Sequence, residues 1–330
     1  MKPVIWGVLG VSTHYQLRVH VPVSMSSELE FRAVASRSLE RAREAAARLG
    51  IPRAYGSYEE LLGDREVEAV YIPLPNHLHA AWVKKAADAG KHVLCEKPFA
   101  LNAEEAAEAV DHARRRGVLL MEAFMYRMHP QWQRAREIVR TGELGEVHAI
   151  HTIFTYSNLD PTNIRNIAEV GGGVLYDIGC YAVSASRFLL DREPLRVVSL
   201  VRRDPRFTTD TLTSAILEFD GGARALFTVG SQTHPCQRVQ VLGSLGALTV
   251  MLAFNAYPDV PEELEVVTSL GTRTIGLPVA DQYGLLFDAF SRAVRAGGPV
   301  PTDPGDAVAN MKVLDAVTRS ERSGGWEPVG

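Results

Sequence analysis

The chain has 330 residues, of which 46% are hydrophobic and 22% charged, with a net charge of -4 and a sequence pI of about 6.2. That length accommodates about two domains, and the composition is that of a packed globular protein. The slight acidity excludes the basic footprint of a nucleic-acid binder, and no apolar run reaches the ~18 residues of a membrane span.

The first part of the chain alternates strand and helix patterns. Val4–Leu9 is an apolar run that ends in Gly10, and Phe31–Ala35 is a second. Leu39, Ala42, Ala46 and Leu49 share one helical face, with Ser38 as the N-cap. A third strand, Ala69–Ile72, is stopped by Pro73 and Pro75, and Asn76 is set to cap a helix to Ala89. His92–Cys95 is a fourth strand. Asn102 caps a helix to Arg116, with Gly117 at its end, and Val118–Phe124 is a fifth strand. Strands alternating with helices pair in parallel and are covered on both faces. The expected fold class is therefore α/β, an N-terminal doubly wound parallel sheet of Rossmann type over residues 1–125.

The pattern changes near residue 145. Strand-like stretches fall at about 146–157, 195–203, 211–219, 223–230, 237–242, 247–252 and 263–268, and Gly221-Gly222 marks a tight turn between two of them. One helix is expected from about Gly173 to Leu190, and two more near 281–296 and 304–321. Residues 126–330 thus read as an α+β domain with a large open, mostly antiparallel sheet, whose C-terminal helix can pack back on the first domain. The N-terminal segment Met1–Trp6 enters a strand pattern without a signal-like region, so a cytoplasmic location is expected. Cys95, Cys180 and Cys236 are too few and too scattered for a disulfide framework or a four-ligand zinc site. No metal is expected.

A strand, a glycine turn and a helix at the start point to a dinucleotide site, where backbone N–H groups and a helix N-terminus face a pyrophosphate. In Gly10-Val11-Ser12-Thr13-His14-Tyr15 only the first glycine of G-x-G-x-x-G is present. Taken alone, this is equally a turn that needs one glycine. Ser12 and Thr13 offer hydroxyls to a phosphate, while His14 and Tyr15 are expected to crowd the cofactor mouth. After the second strand, where an NAD site carries Asp or Glu for the ribose hydroxyl, the chain has Ser36-Arg37 and then Arg41. Serine and arginine favour a 2′-phosphate, hence NADP, with NAD as the alternative; otherwise Arg37 is a solvated charge at a helix start.

Two further stretches carry chemistry. Cys95-Glu96-Lys97-Pro98 lies at a strand's carboxyl end, where ligands bind in such sheets, and Lys97-Pro98 is a candidate cis bond. Lys97 there either holds a ribose hydroxyl and a negative oxygen or is simply exposed. In Gly171-Gly172-Gly173-Val174-Leu175-Tyr176-Asp177-Ile178-Gly179-Cys180-Tyr181 the glycines leave room for another group to approach. Asp177 and Tyr181, four apart, project from one helix face. A carboxylate and a phenol there can bind and deprotonate an alcohol, with a nearby Lys97 favouring the phenolate. For an arbitrary helix they would be a cap and a core side chain.

Pro75-Asn76-His77-Leu78-His79, Glu96-Lys97-Pro98 and Asp177-Ile178-Gly179-Cys180-Tyr181 together resemble the glucose–fructose oxidoreductase/inositol dehydrogenase (Gfo/Idh/MocA) family. Within it the likeness is to the dimeric dihydrodiol dehydrogenase and NADP-dependent xylose dehydrogenase branch, which Glu122-Ala123-Phe124-Met125-Tyr126-Arg127 and Asn163-Ile164-Arg165-Asn166 also fit. The resemblance implies an oxidoreductase moving a hydride to or from a CH–OH carbon of a sugar, polyol or dihydrodiol. It implies catalytic roles for Lys97, Asp177 and Tyr181, with Tyr181 taking or returning the hydroxyl proton. Leu74, Asn76, His79, Glu96 and Arg127 would line the cofactor with Gly10, Ser12, Thr13, His14, Ser36, Arg37 and Arg41. Arg165 would reach cofactor or substrate from the second domain. A homodimer or homotetramer through the C-terminal sheet is implied. Rival readings are a catalytically silent nucleotide- or sugar-binding regulator, motivated by the altered glycine turn, and a glycosidase using tightly held NAD, disfavoured by Ser36-Arg37.

Overall fold

A computed structural model describes residues 2–330. The chain forms two compact units: the residues up to Met125 with Tyr283–Val308, and Tyr126–Gln282 with Ala309–Gly330. The helix after the second unit's sheet therefore counts with the first unit.

The first unit is built on a six-stranded sheet. In chain order it contains β1 (Val4–Leu9), α1 (His20–Val23), β2 (Leu29–Ala35), α2 (Leu39–Leu49), β3 (Arg53–Tyr55), α3 (Tyr58–Leu62), β4 (Ala69–Ile72), α4 (His79–Asp88), β5 (His92–Cys95), α5 (Ala103–Arg116) and β6 (Leu120–Glu122). The strands lie in the order β3-β2-β1-β4-β5-β6, and every pair is parallel. The strand order reverses beside β1, the switch point at which such sheets bind ligands outside their carboxyl ends. The expected caps of two helices are present: Ser38 Oγ accepts from Arg41 N at 3.3 Å and Asn102 Oδ1 from Glu105 N at 2.8 Å. Asn76 does not cap in this way. It opens a 3₁₀ turn, Asn76–Leu78, and α4 starts only at His79. The expected fifth strand is shortened to β6, and β3 is a strand that three half-buried residues did not announce.

The second unit holds α6 (Pro130–Arg140), β7 (Val147–Ser157), α7 (Cys180–Leu190), β8 (Pro194–Arg203), β9 (Asp210–Phe219), β10 (Arg224–Gly230), β11 (Gln232–Gly243), β12 (Gly246–Met251), β13 (Glu263–Thr268) and β14 (Gly271–Gly276). Next come α8 (Gln282–Ala296), of which all but Gln282 falls in the first unit, and α9 (Gly305–Ser323), which ends in the second. β15 (Glu327–Pro328) closes the chain. The nine strands are ordered β14-β13-β12-β11-β7-β10-β9-β8-β15, and only β7 and β10 pair in parallel.

Alternation along the strands separates two faces. One is covered, by α7 against β7 and by α9, where Ser199 Oγ donates to Val317 O at 2.8 Å. The other, with His151, Leu200 and Arg238, is open and forms a shallow apolar concavity of about 590 Å³. In the first unit Trp6 is fully buried against Phe287 and Phe290 of α8, and its Nε1 donates to Ser291 Oγ at 3.1 Å. Among the described residues, no helix is long and apolar enough to cross a membrane.

Candidate functional site

The carboxyl ends of β1, β2, β4 and β5 bring the expected cofactor residues, all but Arg127, to one edge of the first sheet. Gly10 follows β1 at φ +125°, a backbone angle side chains rarely adopt, and a Cβ there would stand 3.2 Å from Leu74 Cδ2. Ser12 caps the helix that follows, its Oγ accepting from Tyr15 N at 3.1 Å, and Thr13 is exposed in the first turn. Such a turn directs amide donors outward, as an anion requires.

Tyr15 corrects an expectation. It does not crowd the mouth but points inward, fully buried against Phe31 and Tyr71, with its hydroxyl 2.9 Å from His20 Nδ1. A π-helical turn, Tyr15–Val19, runs through this stretch. Burial raises the Tyr15 phenol pKa well above its ordinary value. His14 is exposed, and its Nε2 lies 2.8 Å from Tyr283 OH. Ser36 is buried at the end of β2, while Arg37 and Arg41 are exposed, and no carboxylate replaces them at the strand end.

Lys97 is half-buried after β5, and the Lys97–Pro98 bond is cis. The loop around it is fastened from three sides. Glu122 Oε1 accepts from Phe99 N at 2.9 Å, Tyr71 OH donates to Glu96 Oε1 at 2.6 Å, and Pro98 O lies 2.8 Å from His79 Nδ1. His79, expected to line the cofactor, is instead fully buried, with Nε2 2.7 Å from Leu74 O, so it ties the β4 loop to the Lys97 loop. Burial lowers its pKa. Glu96 is likewise a buried support, and Asn76 is half-buried at the head of its turn. Arg127 falls in the second unit, 4% exposed, with Nη2 donating to Ser184 Oγ at 2.7 Å. It braces α7.

In the second unit, Leu175–Gly179 is a π-helical turn and α-helical geometry starts at Cys180, later than expected. The glycine run ahead of it makes room for the chain itself. Gly173 N donates to Arg165 O at 2.8 Å, and Asp210 Oδ2 accepts from Leu175 N at 2.7 Å and from Thr213 Oγ1 at 3.0 Å. Asp177 Oδ2 accepts from Arg165 Nε and from Tyr156 OH, both at 2.8 Å. The charge of Asp177 outweighs desolvation at the Arg165 guanidinium and keeps it protonated. Burial and the Asp177 charge push the Tyr156 phenol far above its ordinary range, fixing it as a donor and not a base. Tyr181 is 5% exposed in an aromatic wall of Phe254, Phe154 and Tyr126, with ring centroids at 5.2, 5.8 and 5.8 Å.

Tyr156, Asp210, Tyr71 and Glu122 were not singled out by sequence reasoning as site residues. Only Glu122 carried a signal, a carboxylate inside the apolar run Leu119–Phe124. No group of three or more potential metal ligands occurs among the described residues.

A parallel sheet with its glycine turn at the switch point defines a dinucleotide-binding domain, and the second unit carries a carboxylate and a phenol on one helical segment. The chain belongs to the GFO/IDH/MocA oxidoreductase family with an NAD-binding Rossmann fold: that model matches residues 4–124, and the family's C-terminal domain model matches residues 132–249. It is 41% identical to a D-xylose 1-dehydrogenase (NADP(+)) of Haloferax volcanii over 97% of this chain and 98% of the relative. It is 37% identical to the trans-1,2-dihydrobenzene-1,2-diol dehydrogenase of Bos taurus over 67% of this chain and 65% of the relative. A 3-ketoreductase from Actinomadura kijaniata, solved with NADP and TDP-benzene, has a TM-score of 0.91 at 31% identity, covering 96% of this chain and 98% of that one.

Proposed function

We propose that this protein is an NADP(H)-dependent oxidoreductase that interconverts a CH–OH carbon and its carbonyl on a sugar, polyol or dihydrodiol. In balance, the alcohol and NADP⁺ give the carbonyl compound, NADPH and a proton. When bound, the nicotinamide supplies the hydride acceptor or donor; everything else is done by side chains.

The residues present fit that cofactor. Gly10 keeps the β1 turn open, the helix capped by Ser12 presents its first turn with Thr13 and His14, and Tyr15 is turned away from the mouth. Leu74 and Asn76 belong to the same strand ends. Ser36, Arg37 and Arg41 would hold a 2′-phosphate, which arginine grips through charge-assisted hydrogen bonds. His79 and Glu96 support these loops within the first unit, and Arg127 braces α7 within the second.

Catalysis is assigned to Lys97, Asp177 and Tyr181. Tyr181 Oη takes the hydroxyl proton in oxidation and returns it in reduction. Lys97 steadies the negative oxygen, and Asp177 orients the substrate hydroxyl. The observation that carries the reading is that Asp177 is held by Arg165 and Tyr156 on the same helical segment as Tyr181. Tyr156 is locked as a donor, so it leaves the proton to Tyr181.

The substrate class follows from chemistry shared with relatives. D-xylose carries oxygen on both C1 and C2, and a 1,2-diol does so by definition, so substrates with oxygens on adjacent carbons are favoured here. Residues 1–125 are assigned to cofactor binding and 126–330 to substrate binding and self-association, as a homodimer or homotetramer through the open sheet face. The three free cysteines suit the reducing cytoplasm. A fluorescence titration with NADPH and NADH in parallel tests the cofactor assignment. Tighter binding of NADPH is expected. Equal affinity overturns the 2′-phosphate site, and binding of neither overturns the enzyme reading in favour of a silent regulator.

A further inference from the structure

Arg165 is anchored more firmly than a loop arginine needs to be. Its amide donates to Asn163 Oδ1 at 3.1 Å, its carbonyl accepts from Gly173 N at 2.8 Å, and its Nε donates to Asp177 Oδ2 at 2.8 Å. Tyr156 OH donates to that same carboxylate oxygen at 2.8 Å, fixing the anchor from the other side. The outer end of the side chain is different. Neither Nη1 nor Nη2 has a hydrogen-bond partner among the described residues, and the side chain is 39% exposed. The guanidinium is thus held at its inner corner and open at its outer edge, with planar donors in a fixed fork.

Two properties of this fork select its ligand. Asp177 already balances its charge, so neutral oxygens compete well against phosphate. It is also never a proton acceptor, so it cannot replace Tyr181 at the reacting hydroxyl and must serve a different oxygen of the same substrate. We infer that Arg165 reads the second oxygen, the hydroxyl or oxo group on the carbon next to the reacting one, and that Tyr156 and Asp177 hold it there. This rests on the oxidoreductase reading above and deepens it: the ligand is a neutral molecule with vicinal oxygens. Tyr156 is a positioning residue, and Arg165 a specificity-determining one.

The test pairs each sugar with its counterpart deoxygenated at the neighbouring carbon, D-xylose with 2-deoxy-D-xylose and D-glucose with 2-deoxy-D-glucose. Values of kcat/KM with NADP⁺ are measured for the wild type, Arg165→Lys and Tyr156→Phe, with thermal melts as a folding control. The wild type is expected to prefer the parent sugar by about 10–100-fold, the range of a hydrogen bond to a charged donor. Arg165→Lys keeps the charge opposite Asp177 but loses the fork. It should lower turnover of the parent by much more than that of the deoxy sugar, bringing the ratio to within about threefold. Tyr156→Phe should contract the ratio in the same direction, and it carries the comparison if Arg165→Lys does not fold. Equal losses on both sugars overturn the inference, since a purely structural role leaves the ratio unchanged. A wild type that oxidises parent and deoxy sugars equally well also overturns it while leaving the oxidoreductase reading intact. A wild type that oxidises none of them, nor a trans-dihydrodiol, overturns both.

Discussion

Gly173 and Asp210 are packed so closely that a Cβ on the glycine would stand 2.0 Å from the Asp210 carboxylate, and Gly173 itself sits at φ +119°. The carboxylate holds the amide of Leu175, the first residue of the turn that carries Asp177. The glycine run and a strand residue far along the chain therefore position the helical segment of Asp177 and Tyr181 jointly.

Gly173→Ala should be among the more damaging small substitutions in the chain. It meets both the contact and the backbone angle, costing on the order of 3 kcal/mol. Chemical denaturation should show that loss, and the residual folded enzyme should have depressed kcat. A variant of wild-type stability and activity would mean that Asp210 shifts at no cost and does not set the turn.

Cofactor choice should reverse when the end of β2 is recast. Ser36→Asp combined with Arg37→Ala puts a carboxylate where the 2′-phosphate is expected and removes an exposed cation. NADPH affinity should fall by about 10–100-fold with NADH affinity unchanged or improved. Isothermal titration of both cofactors reads this directly, and a parallel loss for the two would show only that β2 had been damaged.

How much of this could be read from the sequence depended on distance along the chain. The caps Ser38 and Asn102, the Gly10 turn and the Asp177–Tyr181 pair are local features, and local periodicity or turn chemistry exposes them. Tyr156, by contrast, is separated from Asp177 by 21 residues. Asp210 lies 35 residues from the amide it caps. Contacts across such distances are created by tertiary packing, and no local pattern announces them. The π-helical turns at Tyr15 and Leu175 defeated periodicity for a related reason. An i→i+5 turn shifts the register of the side chains that follow, which accompanies Tyr15 being buried where a bulky residue at the mouth was expected. His79 carried a motif, but its fully buried ring, lying between the carbonyls of Pro98 and Leu74, serves the loops.

Stability should depend on pH through the interior histidines. Burial lowers the pKa values of His20, His79, His92 and His129. The folded state then binds fewer protons than the unfolded chain, whose imidazoles titrate near ~6.5. Their contribution is complete above that value and is lost as pH falls through the lowered folded-state values. The melting temperature should therefore be level above about pH 7 and decline between about pH 6.5 and 5. A flat profile across that interval would contradict the assignment.

Self-association should be sensitive to the open sheet face. Leu200 is 80% exposed there, on a strand whose neighbouring side chains line the shallow apolar concavity. Leu200→Glu should shift the protein toward monomer in light scattering coupled to gel filtration, with the melting curve of each protomer preserved. Unchanged mass would move the interface elsewhere.

NADPH formation from NADP⁺ with a panel of aldoses, polyols and a trans-dihydrodiol, run for the wild type and for Tyr181→Phe, shows whether the protein moves a hydride and whether Tyr181 carries the proton. Turnover by the wild type on at least one vicinally oxygenated substrate is predicted. In the variant a loss of about 10²–10⁴-fold in kcat is predicted, with NADPH affinity retained. Equal turnover by the two proteins would remove Tyr181 from the proton path and overturn the mechanism.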